Sequence, residues 1–273
     1  MGEDREADKN ISTISSKLFK KIYDRDGEDT VCTKKQSSNQ WHSDIAFEPV
    51  PADYTSLRLT QLPKTGGGES CRLILDSHWR MLTDDIVDTM WASGYEIYDR
   101  LSPTYQKFVE SLSCTFAQPN FNAAAERGGF KLYEKPRGAP ENVGSVLKAV
   151  HPVVRTNPVT GWKSIYPVGA HISHINGLTR EESKNMLDWF NKLCVDNHDL
   201  QARFRWQNVN DIAIWDNRST FHNATYDFEG LGDRSGNRAV GLGERPFFDP
   251  ESSSRREALE RDGVVAGKYF MNR

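Results

Sequence analysis

The triplet His42-Ser43-Asp44 is the part of the chain best suited to carry out chemistry. In an extended segment side chains alternate with period 2, so this imidazole and this carboxylate fall on one face. From there they can bind a single metal ion at neighbouring positions. A second imidazole from elsewhere in the chain would complete a two-His, one-carboxylate face. That donor set leaves coordination positions open for a chelating cosubstrate and for O2. A single His-x-Asp is a weak signal by itself, because the chain contains 7 histidines and 38 acidic residues.

Spacing alone does not choose the second imidazole. His151 precedes Pro152 and His198 falls at a polar helix end, positions that suit structural or exposed roles. His78 sits in a charged stretch without clear pattern, and His171 and His174 alternate with Ile172 and Ile175 along a possible pocket wall. His222 follows Ile214-Trp215-Asp216-Asn217-Arg218. Downstream, Arg234 and Arg238 lie four residues apart, so a strand would place both on one face. A guanidinium keeps its charge and matches a carboxylate with its planar fork. On spacing alone, a pair of exposed strand arginines is the competing reading.

Strands dominate both candidate ligand regions, with helices between them. Leu57, Leu59 and Gln61 alternate with Arg58, Thr60 and Leu62, and Pro63 with Thr65-Gly66-Gly67-Gly68 closes the run. Asp211–Asp216 and Ala239–Gly243 read as strands bounded by Asn, Asp and Gly. Ser102-Pro103 predicts a helix through Leu112, with proline at the first helical position. Thr179-Arg180-Glu181-Glu182 is a capping box, and Met186, Phe190, Leu193 and Cys194 follow at helical spacing. Residues 1–40 are polar and weakly patterned, there is no internal repeat, and the tail after Pro250 reads as a charged surface extension.

Composition narrows the function classes. Hydrophobic residues make up 37% and charged residues 27%, as in a soluble globular protein. The net charge of −3 supplies no basic excess for nucleic acid or an anionic membrane. No apolar run approaches the roughly 20 residues needed to span a bilayer. The start MGEDREADKN is acidic and polar, unlike a signal peptide, and Ala7 stands where a myristoylation signal needs Ser or Thr. Cys32, Cys71, Cys114 and Cys194 are far apart and form no C-x-x-C pair, which suits reduced thiols in a cytoplasmic protein.

The residues around these candidates carry a family resemblance. Ser37-Ser38-Asn39-Gln40-Trp41-His42-Ser43-Asp44 resembles the first-ligand segment of the taurine dioxygenase family, which includes fungal sulfonate dioxygenases. Four further segments match in the same order: Leu62-Pro63-Lys64-Thr65-Gly66-Gly67, Asp88-Thr89-Met90-Trp91-Ala92-Ser93-Gly94, His151-Pro152-Val153-Val154-Arg155-Thr156, and Ile214-Trp215-Asp216-Asn217-Arg218 with His222 close behind. Five ordered matches are far more specific than any one of them. The resemblance implies a mainly β fold with flanking helices, a double-stranded β-helix or jelly roll. It implies His42, Asp44 and His222 as ligands of Fe(II), Thr89 and Arg234 as partners of the cosubstrate 2-oxoglutarate, and Arg238 as the cation that grips a substrate anion. The implied reaction is hydroxylation of a small anionic substrate by O2, with taurine or another alkylsulfonate favoured over a carboxylate-bearing or specialised metabolite. A homo-oligomer is compatible with this reading; nucleic-acid and membrane partners are not expected.

Three departures from the family pattern are visible. His171, in Val168-Gly169-Ala170-His171-Ile172-Ser173, stands where the family usually has Phe, so it is expected to reshape the substrate cavity. Residues 1–36 form a polar N-terminal segment that is short relative to the family. Within the dioxygenase domain expected over residues 37–250, the stretch 68–87 is an atypical insertion, read as retained intron sequence in preference to a lid. Residues 251–273 are expected to be a C-terminal extension. The short start and the insertion keep open a catalytically inactive family member.

Overall fold

The structure is a computed structural model that describes residues 11–16, 40–63, 73–75, 78–80, 88–224 and 232–264. The strands are β1 (Ile11–Ser15), β2 (Ala52–Gln61), β3 (Leu73–Leu75), β4 (His78–Arg80), β5 (Asp88–Ser93), β6 (Ser113–Ala117) and β7 (Lys148–Pro152). They continue with β8 (Val154–Thr156), β9 (Lys163–Ile165), β10 (Ile172–Ile175), β11 (Gln201–Arg205), β12 (Ile212–Asp216), β13 (Thr220–Ala224) and β14 (Ser235–Leu242). The helices are α1 (Gly94–Asp99), α2 (Pro103–Glu110), α3 (Pro119–Gly128), α4 (Arg180–Asp196) and α5 (Arg255–Arg261). The described chain is thus mainly β with helices added.

In β2, buried Thr55, Leu57 and Leu59 alternate with exposed Tyr54, Arg58 and Thr60, the pattern of a strand with one face inside. It lies at the centre of a four-stranded antiparallel sheet in the order β1-β14-β2-β12. A second sheet has the order β11-β5-β13. Leu57 and Leu59 share a buried cluster with Trp206, Ala213 and Trp215, and Ile14, Trp91 and Phe204 pack against it. That cluster joins the two sheets through apolar side chains, so each sheet's inner face is covered by the other.

A larger core lies among β6, β9, β10, α1 and α4, with Ile97, Cys114, Phe116, Ile165, Ile175, Phe190 and Cys194 all at 0–1% exposure. Helix α4 begins with the expected capping box: the Glu182 N–H donates to Thr179 Oγ1, and the Thr179 N–H donates to the Glu182 carboxylate. Satisfying those donors fixes where the helix starts, and Phe190 and Cys194, one turn apart, turn the same face inward.

Some elements differ from the sequence reading. The helix from Pro103 ends at Glu110 rather than at Leu112. The last strand starts at Ser235, four residues before the expected Ala239. Ser, Gly and Asn are poor strand formers, but β14 is paired on both edges, and a Cβ at Gly236 would meet the Arg58 carbonyl oxygen at 2.5 Å. Tertiary pairing overrides local propensity there. Within the segment read as polar, Ile11–Ser15 forms β1 and pairs with β14 from Ile11↔Ala239 to Ser15↔Ser235. Beyond Pro250 the chain docks. Ser254 and Glu257 form a second capping box, Arg255 and Arg256 bond Glu96 and Asp99 of α1, and Ala258 is buried. In the stretch 68–87 the antiparallel pair β3–β4 is described; the rest, and with it the reading as an insertion, lies outside the described residues. Cys32 and Cys71 also lie outside them, while Cys114 and Cys194 are buried free thiols whose pKa burial pushes up. No helix among the described residues is long and apolar enough to cross a membrane.

Phe190→Ala removes a ring at 0% exposure and is expected to cost about 3–5 kcal/mol in chemical denaturation. A loss within the scatter of surface substitutions would mean that α4 does not seal this core.

Candidate metal centre

Two reciprocal backbone hydrogen bonds build the site. The His42 N–H donates to the His222 carbonyl at 3.1 Å, and the His222 N–H donates to the His42 carbonyl at 2.9 Å. This antiparallel bridge links the segment after Gln40 to β13, so imidazoles 180 positions apart stand with ring centroids 4.2 Å apart. Asp44 follows two residues after His42, and donor atoms of His42, Asp44 and His222 all lie within 4.8 Å of one another. The opposite side of the His42 segment is held by the turn before β10. The Ala170 N–H donates to the Trp41 carbonyl at 3.0 Å, and Gly169, at φ +84°, comes so close that a Cβ would lie 1.6 Å from that oxygen. Only glycine allows both the conformation and the approach.

The protonation states suit a divalent cation. Asp44 is 2% exposed; its Oδ2 accepts from Thr55 Oγ1 at 2.8 Å and its Oδ1 from Arg238 Nη1 at 2.7 Å. Burial alone would raise its pKa. The Arg238 guanidinium, the neighbouring imidazoles and the Thr55 hydroxyl outweigh burial and hold the carboxyl well below the usual carboxylate range. His42 Nδ1 lies 2.8 Å from the Gln40 carbonyl, which places the proton on Nδ1 and leaves the Nε2 lone pair for a metal. Burial, reinforced by His42 alongside, pushes His222 down to about 3, so it is neutral near pH 7. Its Nδ1 is buried without a hydrogen-bond partner among the described residues, and its Nε2 lies 4.0 Å from Asp44 Oδ2. Two imidazoles, with His222 held neutral, and one ionised carboxylate, close together and largely dry, fit an oxygen-activating Fe(II) ion.

The other residues singled out by sequence fall around this centre in different ways. Arg234, just before β14, is buried, and Arg238 reaches Asp44 from the same strand. Thr89 is buried on β5, where its hydroxyl accepts the Trp206 indole N–H at 2.9 Å. His171 packs edge-on against the rings of His42 and Phe47, at 5.3 and 5.2 Å, with Nδ1 3.1 Å from Gln118 Nε2. Burial and the His42 imidazole push it down to about 3. The His78 side chain lies outside the described residues, and the other histidines stay outside the cluster. His151 is buried with Nε2 shared between the carbonyls of Ala46 and Glu48, and His174 and His198 are exposed. Sequence alone gives no role to Thr55, Asn217 or Gln118. Thr55 carried a signal: it is a hydroxyl in phase with Leu57 and Leu59 on the inward face of β2.

Comparisons with known proteins agree with the geometry. The family profile described as "Taurine catabolism dioxygenase TauD, TfdA family" matches residues 8–240. The chain is 48% identical, over 259 residues, to an alpha-ketoglutarate-dependent dioxygenase of Neocamarosporium betae, covering 93% of this chain and 70% of that one. It is also 48% identical to one from Penicillium shearii, covering 80% of this chain and 61% of that one. An alpha-ketoglutarate-dependent sulfonate dioxygenase of Saccharomyces cerevisiae is 31% identical over 214 residues, covering 78% of this chain and 44% of that one. The chain therefore spans about half to two thirds of the length of such relatives. Among solved structures, a taurine dioxygenase from Burkholderia xenovorans is similar with a TM-score of 0.61 at 23% identity, covering 89% of this chain and 67% of that one.

The buried neutral imidazoles set a pH dependence. Burial lowers His151 to about 4, and His171 and His222 to about 3, from an ordinary value of 6.5. Below that ordinary value the unfolded chain binds protons that the folded chain refuses. Their contribution to stability is therefore complete above about pH 6.5 and lost as the pH falls toward 4 and 3. Denaturation midpoints of the metal-free protein, measured from pH 7.5 down to 4.5, are expected to fall steadily. A flat profile would show that these imidazoles are not held neutral.

Proposed function

The chain belongs to the taurine catabolism dioxygenase TauD, TfdA family, and from that membership we propose that it is an Fe(II)- and 2-oxoglutarate-dependent dioxygenase acting on a small organic anion. The observation that carries the reading is the convergence of His42, Asp44 and His222 within 4.8 Å. These three are the proposed metal ligands. When bound, Fe(II) supplies the redox chemistry by which O2 oxidises 2-oxoglutarate to succinate and CO2 while one oxygen atom enters a substrate C–H bond. Everything else is positioning. The β13 bridge orients both imidazoles. Buried Arg234, with Thr89 as hydroxyl partner, is assigned to the remote carboxylate of 2-oxoglutarate, because a fixed guanidinium suits an anion buried away from water. Arg238 and His171 are assigned to the substrate: Arg238 holds the anionic group so that the reacting carbon stays over the metal. The facing sheets are read as the two halves of a double-stranded β-helix within a domain at 37–250, and the protein is placed in the cytoplasm.

An alkylsulfonate such as taurine is the first substrate class, supported by Arg238 and by the relatives named sulfonate dioxygenases. A carboxylate-bearing or specialised metabolite is the second, favoured by the polar His171 ring beside His42. The test is aerobic turnover with Fe(II), 2-oxoglutarate and panels of alkylsulfonates and carboxylates. Succinate together with sulfite is expected from a sulfonate, because hydroxylation beside sulfur collapses to an aldehyde and sulfite. Succinate without sulfite selects the second class. Arg238→Ala is expected to weaken the preferred anion at least tenfold in kcat/KM, the loss of one charge-assisted contact of about 1.5–3 kcal/mol. Absence of succinate from every panel, with no Fe(II)-dependent binding of 2-oxoglutarate, would mark the chain as inactive.

A further inference from the structure

We propose that Thr55 and Asn217 are positioning residues, a buried relay that fixes the Asp44 carboxylate and thereby sets how tightly the site holds its metal. The inference rests on the reading of His42, Asp44 and His222 as ligands, but it concerns different residues and different observations. Asn217 Oδ1 faces two groups that can only donate, the Asp44 backbone N–H at 3.1 Å and the Trp215 indole N–H at 3.2 Å. Those donors decide the orientation of the amide by chemistry alone. Its Nδ2 must then face Thr55, and it donates to Thr55 Oγ1 at 2.7 Å. With that side of the hydroxyl accepting, the Thr55 proton is directed to Asp44 Oδ2 at 2.8 Å. Each rotor in the chain is fixed by the one before it.

The relay is dry and anchored at both ends. Thr55 is 0%, Asn217 1% and Asp44 2% exposed. Thr55 belongs to β2, while Asn217 follows β12, donates its own N–H to the Asp53 carbonyl and accepts the Ser43 hydroxyl on its carbonyl. One asparagine therefore pins the Asp44 backbone directly and its carboxylate through Thr55. The donor to Oδ2 is neutral and does not ionise, so the carboxylate presents the same lone pairs to an ion throughout the working pH range. Packing alone does not require this hydroxyl: Leu57 and Leu59 occupy the same inward face, and valine matches threonine in shape. Outer partners of metal ligands typically matter by about 10–100-fold in metal affinity.

The test is anaerobic titration of the metal-free protein with Co(II), followed by its visible ligand-field absorption. Thr55→Val is expected to bind about 10–100-fold more weakly, with altered bands. Thr55→Ser, which keeps the hydroxyl, is expected to restore affinity and bands close to wild type. Near-ultraviolet circular dichroism checks that the variants are folded, and Thr55→Ala, which adds no bulk, replaces the valine variant if that one does not fold. Unchanged Co(II) affinity and spectrum in the folded hydroxyl-free variant would overturn the relay while leaving the ligand assignment standing. Failure of the wild-type protein to take up Co(II) would instead overturn the ligand assignment, and the relay with it.

Discussion

The backbone bridge between His42 and His222 is the constraint on which the rest of the arrangement depends. Side chains on flexible segments would scatter the three donors, and holding them together would cost rotamer and backbone entropy each time an ion bound. Here two reciprocal N–H···O=C bonds fix the main chain first, so the imidazoles differ only in their own torsions. The bridge is in turn held from outside. β13 is paired along β5, with His222 opposite Trp91, and the Trp41 carbonyl is gripped by Ala170 where only glycine at 169 leaves room. The centre is therefore an extension of the sheet ladder rather than a loop site, which favours preorganised binding.

Electrostatics follow from that placement. A carboxylate at 2% exposure is costly unless charge and hydrogen bonds compensate it. Asp44 is compensated on one oxygen by Arg238 and on the other by Thr55. The imidazoles respond oppositely. Burial keeps His222 and His171 neutral, and neutral nitrogen is what a metal or a polar substrate needs. The same dryness that destabilises a cationic histidine at low pH thus prepares a donor at neutral pH, and one physical cause underlies both the expected acid sensitivity and the proposed metal affinity.

Much of the fold and part of the centre were legible in the sequence because those pieces lie in contiguous runs. His42-Ser43-Asp44 is a period-2 pattern, Thr179–Glu182 is a capping box, and Asp211–Asp216 is a strand with polar ends; each needs only local physics. His222 was reachable only through the family resemblance of the segment before it, since spacing left six histidines as candidates. What stayed hidden depends on partners far along the chain. Ile11, Thr13 and Ile14 favour a strand, but a five-residue strand does not stand alone, and nothing local starts β14 at Ser235; pairing fixes both. The tail after Pro250 looked like solvent-exposed charge, yet its arginines find Glu96 and Asp99 on α1. Asn217 was visible as part of a motif, but its task required knowing that Thr55 lay beside it, 162 positions earlier.

On the proposed reading, Arg238 ties the metal site to the substrate site. Its Nη1 is committed to Asp44, while its Nε has no hydrogen-bond partner among the described residues and its side chain retains 27% exposure. A guanidinium has five donors, so one bond to Asp44 leaves others for an anion arriving from the open side. On the proposed reading the same cation balances the acid ligand and receives the substrate. A substrate anion then draws on charge that also holds Asp44 ionised, and the two sites cannot be electrostatically independent. Lysine would not serve both tasks, because its point charge lacks the planar fork that can face two anions in fixed directions. On that reading the choice of arginine at this position is intelligible from the geometry of two anions that would share one counter-charge.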